Sequence, residues 1–399
     1  MPKSFWLLIV GMTVNVAGAS LLWPLNTIYI HGELGKSLAL AGVALMFNAG
    51  AAIAGNLIGG SLFDRIGGYK AILAGVFLCT IAAGMLIFLH SWWFYIVFLV
   101  VLGFGSGMVR PSMFALAGSV WPEGGRKAFN AIYVAQNFGV AVGAAAGGWI
   151  ASFSFQSVFM VNMVMYAVFF SIAFFGFRRF DDASESALAV GKPQAKAEGI
   201  RDRTRFTALI IVSTVFFLCW MAYVQWQSTI SAYTQEIGIS LNQYSLLWSV
   251  NGALIVLGQP LVAFVVKKVR LPKSQMTVGI SIFIVAMAVA ASAGGFAGFL
   301  TAMIILTFGE MLVWPAVPTV AHELAPKGRA GFYQGFVNSM KTAGKMAGPP
   351  VGGIIADFYG MSALFSLFIV VFGLAIVAAL LYDRPLKRSR AETEAVPPW

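Results

Sequence analysis

Twelve apolar runs, each close to the roughly 20 residues that an α-helix needs to cross the hydrocarbon core of a bilayer, constrain this chain more than any other feature. Six lie near residues 5–30, 38–62, 71–89, 94–119, 129–151 and 157–177. Six more lie near 206–233, 243–266, 275–294, 297–320, 331–354 and 361–382. In lipid a backbone must satisfy its own amides, so each run is predicted to be a helix. With 59% hydrophobic residues, 10% charged residues and a mean hydropathy of +0.83, the chain is too apolar for a soluble globular protein. The first run follows Met1 to Lys3 and continues past Leu21 without a small-residue cleavage pattern, so it reads as a retained helix and not as a leader.

The formal charge of +11 reflects topology, and no nucleic-acid partner is expected. All but four of the 26 Lys and Arg fall at the two ends or in alternate loops, the exceptions being Lys36 in an opposite loop and Arg110, Lys341 and Lys345 within runs. By the positive-inside rule this predicts a multi-pass protein of the cell (plasma) membrane with both termini cytoplasmic. The polar stretch 180–205 has no apolar period and is predicted to be a cytoplasmic linker between a six-helix bundle at 1–179 and another at 206–383, with a cytoplasmic tail at 384–399. An internal repeat relates the halves. Gly139, Gly143, Gly147 and Gly148 recur 205 residues on as Gly344, Gly348, Gly352 and Gly353, while Pro111 and Pro122 recur 204 on as Pro315 and Pro326. The expected fold is therefore an all-α membrane protein of 12 transmembrane helices in two pseudo-symmetric bundles, the plan of many secondary transporters.

Glu310 is the one acid placed deep in an apolar run. An ionised carboxylate in hydrocarbon costs at least about 2.5 to 3.5 kcal/mol, so such a residue is a functional candidate by default. Lys341 and, one turn on, Lys345 are at similar depth, both Glu310 and Lys341 lying ~15 Å from the nearer end of their runs. Three roles are open for Glu310: proton carrier, half of a lysine pair that substrate breaks, or half of a permanent structural salt bridge. Its charge state turns on whether a lysine stands beside it. Arg110, next to Pro111, is a third candidate charge partner, or a snorkelling surface group. Cys79 and Cys219 lie in separate runs, the three histidines are scattered, and no Walker-type phosphate loop occurs. No metal, cofactor or enzymatic site is predicted, and a proton gradient is the expected energy source.

Three motifs carry a resemblance. Gly60, Asp64, Arg65, Gly67 and Lys70, in the loop after the second run, resemble the signature of the major facilitator superfamily, departing from it at Gly68 and Tyr69 where basic side chains are usual. Gly139, Gly143, Gly147 and Gly148 resemble the fifth-helix motif of the drug/proton antiporter branch, with Ala144 in place of its proline. The copy Gly344, Gly348, Pro349, Gly352 keeps the proline. Such spacing lets helices touch backbone to backbone, which generic tight packing also produces. The run Gly309, Glu310 through Pro315 looks like the tenth helix of bacterial multidrug/proton antiporters. Leu99 stands where that branch carries an arginine, and no second membrane acid is present.

The resemblance places Asn15, Trp23, Asn26, Tyr29, Gln136, Asn137, Tyr223, Trp226, Gln227, Asn251 and Trp314 around a central cavity suited to an amphipathic organic molecule, although interhelical hydrogen bonds and interfacial aromatics would explain many of them. It implies a monomeric, proton-coupled exporter working by alternating access, with a small molecule and protons as its partners in the bilayer. The alternatives are a transporter of a sugar-like or anionic metabolite or a lipid, and a receptor or scaffold that transports nothing.

Overall fold

A computed structural model describes residues 1–22, 25–89, 91–178, 180 and 203–387. Most of the expected linker, the tail from 388 onward and Trp23 lie outside the described residues. The long helices are α1 (Lys3–Leu22), α2 (Leu38–Ile66), α3 (Gly68–Phe88), α4 (Trp92–Val120), α5 (Arg126–Ala151), α6 (Phe155–Ile172), α7 (Arg203–Tyr223), α8 (Leu241–Leu257), α9 (Gln259–Lys268), α10 (Pro272–Ala291), α11 (Phe296–Leu324) and α12 (Ala330–Leu381).

Local chemistry sets many of their ends. Ser37 and Ser154 accept from Leu40 N and Gln156 N, and Ser240 with Gln243 forms a reciprocal capping box at α8. Gly67, at φ 87°, separates α2 from α3, and Gly360, at φ 79°, breaks α12 into two helices. The prolines inside α4, α11 and α12 are of the kind that membrane helices tolerate, because neighbouring groups re-satisfy the freed backbone.

Among the described residues nine helical stretches are long and apolar enough to cross a bilayer, and ten if Asn242–Leu257 and Gln259–Lys268, bent by 59°, form one span. That bend falls at Gly258 and Pro260, where the ladder loses an N–H, and the Gln259 side chain donates instead to Ile255 O at 2.5 Å. Two further spans complete the expected twelve. One is the second half of α12 beyond Gly360. The other is α5, whose apolarity is diluted by Asn130, Gln136, Asn137 and its glycines.

The helices group into two compact units. Unit 1 holds Met1–Ala197 with Lys327–Ser339, and unit 2 holds Glu198–Pro326 with Met340–Trp399. The start of α12 thus belongs with the first bundle and not with its sequence neighbours, because it packs on α2: a Cβ on Gly60 would strike Gly331, one on Gly335 would strike Asn56, and Ser339 donates to Ile53 O at 3.2 Å.

In unit 1 the stripe on α5 lies against α1, where a Cβ on Gly139 would stand 2.7 Å from Thr13 O and one on Gly143 or Gly147 would collide with the Ala17 or Leu21 carbonyl. In unit 2 the copied stripe on α12 lies against α7, with Gly344 over Phe217, Gly348 over Val224 and Gly352 over Gln225. Gln225 locks this seam by donating to Gly348 O at 2.7 Å. Gly148 and Gly353 face open space. Gly143→Val or Gly352→Val should therefore destabilise the purified protein by about 1–3 kcal/mol. Gly148→Val should stay within about 0.5 kcal/mol of wild type, and detergent melting profiles compare the three.

Candidate functional site

Glu310 lies at the middle of α11 and is 2% exposed. Each carboxylate oxygen has a neutral donor. Asn251 Nδ2, from α8, donates to Oε1, and Trp314 Nε1, one turn along α11, donates to Oε2 at 3.1 Å. The Tyr223 side chain, from the end of α7, makes a further hydrogen bond to the carboxylate. Asn251 is itself positioned, because its amide also donates to Thr307 Oγ1 at 2.9 Å, and Thr307 donates to Met303 O at 2.7 Å. Thr307 precedes Glu310 by three residues and so shares its face. That spacing was the available signal for a residue that sequence reasoning left without a role.

Aromatic rings close over this group. Trp314 stacks on Trp220 with ring centres 4.6 Å apart and planes 16° from parallel, and meets Tyr223, Phe283 and Phe216 at 5.4, 5.4 and 5.6 Å. Lys341 and Lys345 place their ammonium groups 4.6 and 4.3 Å from the centre of the Trp220 ring. The contacts thus run from lysines to Trp220, to Trp314, to Glu310. Among the described residues Glu310 makes no ion pair, which corrects the expectation of Lys341 or Lys345 as its charge partner: the two stacked indoles take the place of direct contact. Arg110 is in unit 1, half-buried on α4, where Tyr166 and Cys79 are close enough to act on its charge.

Asp64, in the signature loop, accepts from Gly331 N and Phe332 N, both at 2.8 Å, and so caps the N-terminus of α12. Gly67 supplies the turn that follows, while Arg65 and Lys70 are exposed. Pro349, half-buried, follows Gly348 in the seam against α7.

The amides and aromatics predicted for the cavity divide into two sets. Tyr223, Asn251 and Trp314 converge on Glu310. Asn26, Tyr29 and Trp226 lie apart from it, with partners of their own. Asn26 accepts from Tyr95 OH at 2.7 Å, Tyr29 is clustered with Tyr95, Phe155 and Phe159, and Trp226 is fully buried beside Phe299. The Tyr29 and Trp226 rings pack on other aromatic rings of their own bundles. Asn15 is buried in α1, Gln136 reaches Met12 Sδ at 3.8 Å, Asn137 donates to Tyr133 O of its own helix, and Gln227 is half-buried. Trp220 and Gln225 of α7 are engaged too, Trp220 in the ring stack with Trp314 and Gln225 in the seam with α12. Among the described residues no group of three or more His, Cys, Asp or Glu is arranged to hold a metal ion.

The sequence profile of the Major Facilitator Superfamily matches residues 8–345 and 227–398. An uncharacterized MFS-type transporter of Bacillus subtilis (strain 168), YttB, is 55% identical over 98% of both chains. The multidrug resistance protein MdtH of Cronobacter sakazakii (strain ATCC BAA-894) is 23% identical over 88% of this chain and 86% of its own. Two solved structures share the fold. The human organic anion transporter MFSD10 (TETRAN) has a TM-score of 0.75 at 16% identity, covering 95% of this chain and 100% of that one. FucP, in its outward conformation, has a TM-score of 0.74 at 13% identity, with 95% and 98% covered.

The hydrogen bond between Asn251 and Glu310 should be visible as energetic coupling. In a double-mutant cycle with Asn251→Ala and Glu310→Ala, read from reversible unfolding in mixed micelles, the interaction should come to about 0.5 to 3 kcal/mol, whereas additive losses would separate the two side chains.

Proposed function

This chain belongs to the Major Facilitator Superfamily, and from that premise we propose that it is a proton-coupled exporter of amphipathic organic compounds, with Glu310 as the site that takes up and releases the proton. It works at the plasma membrane, with both termini cytoplasmic, by alternating access. The observation that carries the proton role is the neutral shell. Among the described residues no cation pairs with the carboxylate that Asn251, Trp314 and Tyr223 hold, so adding a proton leaves the carboxyl and its donors neutral. A salt-bridged acid would instead leave a lone buried cation behind when protonated, at a cost of several kcal/mol.

Export of amphipathic compounds is supported by the similarity to MdtH, whose name assigns it multidrug resistance, and by the aromatic wall of Trp220, Tyr223 and Trp314 beside the acid, which suits an apolar ring system. A proton crossing the membrane potential contributes about 2.3 kcal/mol per 100 mV toward the cycle. The second half of the chain carries the proton site, and the first carries the Asp64 cap.

The experiment is transport in liposomes made with the purified protein and a panel of amphipathic dyes. In Glu310→Gln, accumulation driven by an imposed pH gradient should fall to the level of empty liposomes, while exchange of the same dye across the membrane without a gradient persists. Gradient-driven accumulation at the wild-type rate in that variant would remove Glu310 from the proton path.

A further inference from the structure

We propose that α9 and the turn after it form a binding surface for anionic phospholipids of the cytoplasmic leaflet. The inference goes beyond the transport reading and stands whether or not Glu310 carries a proton.

The span that begins with α8 does not run straight to its end, because it bends by 59° at Gly258 and Pro260. The ten residues of α9 make a rod of ~15 Å, and at that angle they advance only ~8 Å along the direction of α8 while moving ~13 Å sideways. The helix is thereby carried clear of its bundle: of its ten residues Val262 alone is buried. Leu257, Leu261 and Phe264 are exposed, and their four- and three-residue spacing puts them on one face. Lys268 completes that face four residues after Phe264, with its ammonium 4.6 Å from the centre of the Phe264 ring. An apolar face that ends in basic side chains is the pattern of a helix lying at a membrane surface.

Lys267, Lys268 and Arg270 are all exposed, and among the described residues none of them makes an ion pair. Arg270 Nε donates to Lys267 O at 3.3 Å, which keeps the guanidinium at the end of the helix. No Asp or Glu occurs between Glu236 and Glu310. Asp383, the acid that reaches the start of α10, is taken by Lys273 at 2.5 Å and by Lys387 at 3.0 Å. The corresponding loop of the first half holds Asp64 among its cations, whereas this one has only cations.

A phospholipid suits both parts of the surface at once. Its phosphate would accept charge-assisted hydrogen bonds from the basic cluster, and its acyl chains would run along Phe264, Leu261 and Leu257. A soluble anion would leave that apolar face uncovered. A zwitterionic headgroup brings a cation with its phosphate and cancels the attraction, so a headgroup with net negative charge is the one selected.

The test uses the full-length protein in bilayers of phosphatidylcholine and phosphatidylglycerol. Cys79 and Cys219 are buried, so a bimane label attaches at Leu261→Cys, where brominated acyl chains of one lipid or the other quench it on contact. Phosphatidylglycerol should be enriched at least about fivefold over phosphatidylcholine at this label. Raising the salt to about 1 M should remove the enrichment. Lys267→Gln, Lys268→Gln and Arg270→Gln together should bring the ratio to that of the bulk bilayer, while Lys267→Arg, Lys268→Arg and Arg270→Lys should keep it. Equal quenching by the two lipids in the labelled parent chain overturns the proposal, as does enrichment that survives in high salt or in the Gln variant. The parent and salt arms decide the matter even if the Gln variant fails to fold.

Discussion

A carboxylate buried in a membrane protein must be solvated by the protein, and the second half of this chain is arranged around meeting that demand without a counter-charge. Glu310 receives Asn251 from α8, Tyr223 from α7 and Trp314 from its own helix. The donors from α7 and α8 come from helices that must lie beside α11. Tight backbone contact is general in this unit: a Cβ added to Gly309 of α11 would sit 2.8 Å from Gly279 O of α10, and the glycine stripe of α12 lies on α7. The same hydrogen bonds made by lysines would fix the charge. Made by amide, indole and phenol, they leave it free to change.

Backbone contact between small residues recurs in both units with the same pairing logic, α5 on α1 and α12 on α7. Without a hydrophobic drive between helices in lipid, such contacts hold bundles together through dispersion and through bonds like that from Gln225 to Gly348 O. The Asp64 carboxylate performs a related task at the start of α12, where two backbone N–H groups would otherwise end without partners. One acid is thus committed to a helix end, and another is held in mid-helix by neutral donors.

The fold was legible because lipid leaves few choices: apolar length, the distribution of Lys and Arg, and the 205-residue glycine repeat all point to two six-helix bundles. Boundaries were less so. Residues 327–339 read as part of the second bundle, yet Gly331 and Gly335 have no side chain to keep them from α2, and they side with the first. At the site, Glu310 was visible because an acid in hydrocarbon is conspicuous, and Asn251 and Trp314 could be named as polar or aromatic residues of the right helices. Their convergence on Glu310 depends on helix rotation, which periodicity does not give when nearly every face is apolar. Asn26, Tyr29 and Trp226 were named on the same grounds, and their partners, Tyr95 for Asn26 and Tyr29 and Phe299 for Trp226, were equally out of reach of a string of letters. The lysines were recognised as protein-facing, but their seat on Trp220 follows from a ring stack that no spacing reveals.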